Sequence, residues 1–435
     1  MRRLIVIVVT TLGALAMWAG VFLAGTLEGW WRRPLAPPGD PRAFMAAATR
    51  MIQAESSGNL VLGLVEDGNA VDEHFASVGQ PVDRDTLFQV ASLSKWVTAI
   101  GVMTLVDAGQ VDLDAPAETY LTRWKLPPSA FDHREVTVRR LLSHTAGLTD
   151  GLGYAGFAPG VAVQPLPDSL TRAADASPGR DGVVRVGQPP GAAWAYSGGG
   201  YGMLQLLIED VTGEPFNAYM RRVVLHPLGM ARSTFVPPGE GAANVAAIYG
   251  ANSTLATRYQ FTVTGASALY TSLADLTRLI QAHLPGPRGE LPGRGVLRPQ
   301  TLQEMRRPHA AQLGADIWGM GVILYAPNDA GGHIIGHDGD NEPAINTAAR
   351  FDPASGDGIV VLETGDQLLA TRIAGEWVFW NTGNVDNFTV LMEARRTFRT
   401  LGAGAVAILV AAGFLGWRFR RQRERLAPTA GDSHH

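Results

Sequence analysis

An α/β (α+β) fold of two lobes is predicted for this 435-residue chain, an antiparallel sheet flanked by helices and joined to a mostly helical lobe. Three observations predict it. Short β-compatible runs occur near both ends of the central region while the stretch between them is helical and loop-rich, so the economical sheet is assembled from the two ends around an inserted helical region. Uncharged apolar runs bracket that region, adding a transmembrane helix at the N-terminus and another at the C-terminus. A hydrophobic content of 46% with 17% charged residues suits a large core plus membrane segments and not a disordered chain.

Taken in order, Leu4 to Leu27 carries no charge, follows Arg2 and Arg3, and precedes Trp30, Trp31, Arg32 and Arg33. About 20 apolar residues cross the hydrocarbon and paired tryptophans suit its interface, so residues 4–27 read as a transmembrane helix or signal anchor. The run exceeds the usual length of a cleaved signal's apolar region, which favours the anchor. Residues 34–41, with four prolines and Gly39, read as a stiff linker. At the other end Thr400 to Trp417 is again charge-free and leads into Arg418, Arg420, Arg421, Arg423 and Arg425. This predicts a second span over 400–417, with a buried or interfacial helix as the alternative, and a basic cytoplasmic tail over 418–435. With both basic ends in the cytoplasm, the domain over 42–390 is expected on the extracytoplasmic side of the cytoplasmic (inner) membrane.

Within that domain, apolar spacing predicts a helix over Arg42 to Glu55. Leu60 to Val65 and Ala70 to Val78, about the turn Asp67-Gly68-Asn69, read as a β-hairpin. Thr86 to Val90 reads as a strand, followed by an apolar helix ending near Gly109. The helical lobe is expected over about 114–308, with short helices at Val138 to Leu142 and Met203 to Val211 and a long surface excursion over 147–191. Beyond Trp318 the period becomes two. Gly321 to Tyr325, His333 to His337, Asn346 to Phe351 and Gly358 to Thr364 are strand candidates, and Leu368 to Trp380 is an amphipathic helix.

Composition also narrows function. A net charge of -4 leaves no basic footprint for nucleic acid, and the absence of cysteine removes thiolate nucleophiles, thiolate metal sites and disulfides. The stretch that carries chemistry is Phe88 to Ala99, FQVASLSKWVTA. Ser92 and Lys95 stand three apart at the start of a helix, so hydroxyl and amine share one face. Serine is a poor nucleophile without a base, and an amine serves as one when burial lowers its pKa; Trp96, Val97 and Ile100 would supply that burial. Only two lysines, Lys95 and Lys125, occur among 36 basic residues, which makes an incidental Ser-x-x-Lys less ordinary.

Two further stretches are candidate partners. Tyr196 precedes Ser197 and the run Gly198-Gly199-Gly200, and a phenol near a lysine ammonium is expected to ionise more easily and relay protons. His337-Asp338-Gly339-Asp340 ends a predicted strand whose glycine brings backbone N–H groups toward a reacting carbonyl. His333 and His337 with Asp338 and Asp340 invite a metal reading, but alternation places imidazoles and carboxylates on different faces, so no metal and no cofactor is expected. His144, in Ser143-His144-Thr145, reads as a structural turn residue, and Tyr201 as a packing residue.

In order, Ser92-x-x-Lys95, Tyr196-Ser197-Gly198 and His337-Asp338-Gly339 resemble the three active-site motifs of the penicillin-recognising serine hydrolases. The nearest branch is the class C β-lactamase-like one, which includes penicillin-binding proteins, D-aminopeptidases and esterases. Leu141 to Leu148 and His226 to Phe235 look like that branch's stretches as well. The resemblance spans about residues 42–380 and implies the two-lobed serine β-lactamase-like fold with an acyl-enzyme on Ser92. Lys95 and Tyr196 would share base and relay work, and the N–H groups of Ser92 and Asp340 would form the oxyanion hole. Two departures bear on substrate. Gly198 replaces an asparagine that contacts acylamino groups, and His337-Asp338 replaces a Lys-Thr pair that binds a carboxylate. Asp338, with Asp340 and Glu342 nearby, is expected to repel one. A small peptide, amide or ester substrate, neutral or amine-bearing, is therefore expected over efficient β-lactam hydrolysis. The rival is a catalytically weak membrane sensor that binds acyl ligands. No protein partner is readable.

Overall fold

The computed structural model describes residues 2–150, 153–239, 241–312, 314–341, 345–366 and 368–425. Glu342 and residues 426–435 of the basic tail lie outside the described residues. The chain forms two compact units, one over Pro34–Gly383 and one joining the first 33 residues to the segment from Asn384 onward.

In the latter unit, helices Arg2–Leu27 and Asn387–Arg425 contain the stretches Ile5–Leu27 and Arg396–Gln422, of mean hydropathy 2.2 and 1.8. Both are long and apolar enough, by length and composition, to cross a membrane. They pack on each other: the Trp18 indole donates to the carbonyl of Leu401 at 3.0 Å. Gly404 lies directly under that indole, where a Cβ would collide with the ring, a close approach that a small residue permits. The second helix extends well beyond the expected 400–417, because its flanking arginines are also good helix formers.

The larger unit is built on an antiparallel sheet. Its strands are β1 (Leu60–Glu66), β2 (Asn69–Ala76), β5 (Ala310–Gln312), β6 (Ala315–Trp318), β7 (Ile323–Pro327), β8 (His333–Asn341), β9 (Ile345–Phe351) and β10 (Gly358–Thr364), in the order β2-β1-β10-β9-β8-β7-β6-β5. A separate two-stranded ribbon pairs β3 (Phe88–Gln89) with β4 (Tyr270–Thr271). The two ends of the domain meet where β1 pairs β10, from Leu60 opposite Glu363 to Val65 opposite Gly358. The register places Val61, Val360, Ala349 and His337 on one face and Leu60, Val361, Ala348 and Asp338 on the other.

Against the second face lies helix Leu369–Thr382, which buries Ile373 and Trp377, with helix Pro41–Glu55 beside it; the Phe44 and Trp380 rings stand 5.0 Å apart. The first face packs on the nucleophile helix Ser94–Asp107 and on Leu273–Ala282, where Leu273 fills the space that a side chain at Gly63 would need. Residues 86–90 stand apart from the main sheet; Phe88 and Gln89 pair with β4 and hold the nucleophile turn to Tyr270, and Leu87 is bridged to Val245. Strands β5 and β6 carry too few residues for a period to be read. Residues 34–41 are held to the domain: Ala36 is buried and the Trp380 indole donates to the Pro37 carbonyl at 2.8 Å.

Candidate active site

The nucleophile turn is held from two sides. The Val90 N–H donates to the Leu269 carbonyl at 3.0 Å, and the Thr347 hydroxyl of β9 donates to the Val90 carbonyl at 3.0 Å. Ala91 then takes φ +44, left-handed backbone that an alanine adopts only when its surroundings impose it, and opens a 3₁₀ turn over Ala91–Leu93. Ser92 therefore sits in that turn and Lys95 on the first turn of the helix that follows. The Lys95 ammonium donates to the Ser92 hydroxyl at 3.0 Å and to the Ala266 carbonyl at 2.9 Å. Trp96, Val97 and Ile100 are buried, but the rings over the amine are those of Tyr196 and Tyr201, and Lys95 itself is 2% exposed. Burial pushes the lysine down to about 7, with the Asp150 carboxylate acting in the opposite sense.

Tyr196 ends the loop before helix Gly198–Thr212, and the Ser197 hydroxyl caps that helix by accepting from the Gly200 N–H at 2.8 Å. Lys95 Nζ stands 4.9 Å from the centre of the Tyr196 ring. The expected ease of ionisation is not what this setting gives. Burial raises the phenol's pKa above its ordinary value, and the hydrogen bond with Ser92 offsets it only in part, so Tyr196 keeps its proton. Gly198 is buried in the first turn of the helix and brings backbone alone. The neighbouring Gly199 N–H donates to Asp150 Oδ2 at 2.8 Å.

The third stretch forms the last part of β8. Gly339 packs directly onto the nucleophile turn; a Cβ there would overlap the Val90 carbonyl and stand 3.1 Å from the Ser92 nitrogen. Beyond Gly336, the last residue of β8 paired with Ile323, strand β7 no longer borders β8. His337 shares the Gly339 face. Its Nδ1 is 2.6 Å from the Asp338 carbonyl, which can only accept, so Nδ1 carries the hydrogen and Nε2 is left as an acceptor with no partner among the described residues. Burial first, then the nearby Lys95, pushes this imidazole down to about 3, so it is neutral. His333, four residues back, lies 3.7 Å from Asp316 and not with His337.

Asp338 is the correction. It is neither a solvated loop charge nor a group facing substrate: alternation turns it to the opposite face, where Arg350 Nη2 donates to Oδ2 at 2.6 Å and the Tyr325 hydroxyl to Oδ1 at 2.6 Å. Arg350 is fully buried and lies over the Tyr325 ring at 4.0 Å. The carboxylate is thus neutralised behind the sheet, and the repulsion expected of it does not operate. Asp340 is exposed and follows the same alternation, leaving its backbone as the part nearest the nucleophile turn.

Sequence reasoning missed an aromatic wall. Trp194 and Trp318 stand 5.6 Å apart, Trp318 meets Tyr196 at 5.8 Å and His337 at 5.5 Å, and His144 lies 4.5 Å from the Tyr196 ring. One signal was present: Trp194 precedes Tyr196 by two, a spacing that puts both on one side of an extended loop.

The family model described as Beta-lactamase matches residues 46–377. The chain is 29% identical over 296 residues to Esterase EstB of Burkholderia gladioli, covering 58% of this chain and 69% of that one. It is 30% identical over 276 residues to Penicillin-binding protein 4 of Amycolatopsis lactamdurans, covering 60% and 68%. The octameric penicillin-binding protein homologue from Pyrococcus abyssi shares the fold, with a TM-score of 0.62 at 24% identity over 78% of this chain and 76% of that one.

Proposed function

This chain belongs to the beta-lactamase family, a serine hydrolase by its fold and relatives, and from that premise we propose that Ser92 forms an acyl-enzyme with a neutral or amine-bearing ester or amide. One observation carries the reading. A buried lysine whose pKa lies near 7 sits 3.0 Å from a serine hydroxyl, which is a base of suitable strength already in contact with its nucleophile.

In the proposed sequence neutral Lys95 takes the Ser92 proton as Oγ bonds to the substrate carbonyl carbon. The oxygen that gains charge accepts from the backbone N–H groups of Ser92 and Asp340, on the open edge of β8 beside the turn. Lys95 returns the proton through the Tyr196 phenol to the leaving alcohol or amine as the carbonyl re-forms. Water then adds to the acyl-enzyme by the same steps in reverse order of roles, releasing acid and Ser92. Tyr196 serves as a donor here and Lys95 as the base, since only the lysine titrates near neutrality.

Substrate class follows from His337. Where the resemblance expects a lysine for a carboxylate, this site presents a neutral ring whose Nε2, without a partner among the described residues, accepts hydrogen bonds, and Gly198 offers no side-chain amide. Donors are favoured there and carboxylates are not. The esterase among the relatives supports the ester reading. The two apolar helices support a membrane-anchored enzyme, and the arginines beyond their outer ends support a domain outside the cytoplasm. Turnover of a p-nitrophenyl ester by the full chain, reduced about a thousandfold or more in Ser92→Ala, is the expected result; equal turnover by the variant sinks the mechanism.

A further inference from the structure

His144 follows the short helix Val138–Leu142 with φ +57 and is 2% exposed. Left-handed backbone at a buried residue that is not glycine persists only where surrounding contacts impose it. Two contacts here are specific. The His144 carbonyl accepts from the Ala195 N–H at 2.8 Å, and its Nδ1 accepts from the Ser197 N–H at 3.1 Å. Ala195 and Ser197 are the two residues that flank Tyr196, and the imidazole lies 4.5 Å from the Tyr196 ring, tilted by 38°. Trp318 also meets the imidazole edge-on at 4.8 Å, and the Tyr201 ring lies 5.3 Å away, tilted by 38°.

We propose that His144 is a positioning residue for Tyr196, a clamp that fixes the backbone on both sides of the phenol and supports its ring, so that the hydroxyl stays on Ser92. The inference rests on the serine-hydrolase reading for its kinetic part only. Because Nδ1 accepts, the ring's hydrogen is on Nε2, and protonation of Nδ1 would break the Ser197 bond. Burial and the neighbouring Lys95 and His337 hold His144 in its neutral form, which keeps the clamp closed across the working range. The left-handed backbone at residue 144 does the rest. It turns carbonyl and side chain toward the same strand of loop, which an extended or helical residue would not do.

The clamp predicts an asymmetry between two substitutions. Asparagine tolerates left-handed backbone and carries an acceptor oxygen close to where Nδ1 sits, whereas leucine fills the space and accepts nothing. In the detergent-solubilised full chain, His144→Leu is expected to lower kcat on a p-nitrophenyl ester by about 30- to 100-fold with KM changed less than about threefold, a misplacement effect, while His144→Asn stays within about fivefold of wild type. Rates are normalised to the enzyme titrated by a fluorophosphonate, so loss of folded protein does not count. Hydrogen exchange at the Ala195 and Ser197 amides is read on the same samples and is expected to rise at least tenfold in His144→Leu. Unchanged exchange at those amides overturns the clamp whether or not the wild type is active, and so does a His144→Asn variant as impaired as His144→Leu. A wild type inert toward ester and probe, with the exchange change present, counts against the hydrolase reading and leaves the clamp standing.

Discussion

His337 and Asp338 are adjacent in β8 and serve opposite sides of the sheet: the imidazole lies with Gly339 on the nucleophile side, and the carboxylate pairs with buried Arg350 behind it. The pair behind the sheet is structural. Removing one member of a buried ion pair costs about 3–5 kcal/mol, while replacing both with apolar groups is often close to neutral. Asp338→Ala is therefore expected to lower the urea midpoint strongly, and Asp338→Leu with Arg350→Met to recover most of it. Turnover per folded molecule is expected to stay within about fivefold in each, because neither side chain reaches substrate. A kcat collapse in a fully folded Asp338 variant would return this residue to the site.

Lys95 makes acylation depend on pH. The reactive form is the neutral amine, so kcat/KM is expected to rise with pH through about 7 and then level. Asp150 favours the ammonium, so Asp150→Asn is expected to move that limb to lower pH, raising the rate at pH 6 relative to pH 8. The isosteric amide retains an acceptor for the Gly199 N–H. A limb that moves upward in this variant contradicts the base assignment.

Glu363 in β10 is fully buried, and desolvation pushes it up to about 9 from an ordinary 4.5, the Ala370 N–H and Ser56 hydroxyl offsetting burial only in part. The folded state thus holds a proton that the unfolded chain has released. Its contribution is fully present below about pH 4.5 and is lost between there and about 9, at roughly 1.4 kcal/mol per unit. Glu363→Gln is expected to flatten this decline, so that the stability difference between variant and wild type grows from pH 5 to pH 8 in urea titrations. Parallel curves would show that the carboxyl ionises in the folded state.

Much of this was legible in the chain because local rules governed it. The hairpin about Asp67-Gly68-Asn69, helix Val138–Leu142 and the closing helix follow turn chemistry and apolar period, and Ser92 and Lys95 are three residues apart, so their meeting needs no long-range knowledge. What stayed hidden depends on contacts distant in sequence. Arg350 neutralises Asp338 from another strand, and His144 reaches a loop some fifty residues on. Burial also reversed an argument made from charge alone: nearness to Lys95 favours ionising Tyr196, yet desolvation outweighs it. The faces of β8 could have been assigned by alternation, and once His337 is placed inward Asp338 has to point away.

Specificity can be tested by restoring the cation that this site lacks. His337 faces the nucleophile as a neutral acceptor, so a substrate carboxylate approaching it meets lone-pair density and no compensating charge. His337→Lys replaces that acceptor with a group that donates and, next to a bound carboxylate, gains from staying charged. The change is expected to raise kcat/KM for a carboxylate-bearing substrate such as a cephalosporin at least tenfold relative to a neutral p-nitrophenyl ester, about 1.4 kcal/mol of discrimination. A second ammonium beside Lys95 disfavours the charged amine there, so the pH limb for the neutral ester is expected to move to lower pH, in the same sense as Asp150→Asn. If the ratio of the two substrates is unchanged while the limb moves, the lysine has entered the site and carboxylate selection resides elsewhere in the cleft.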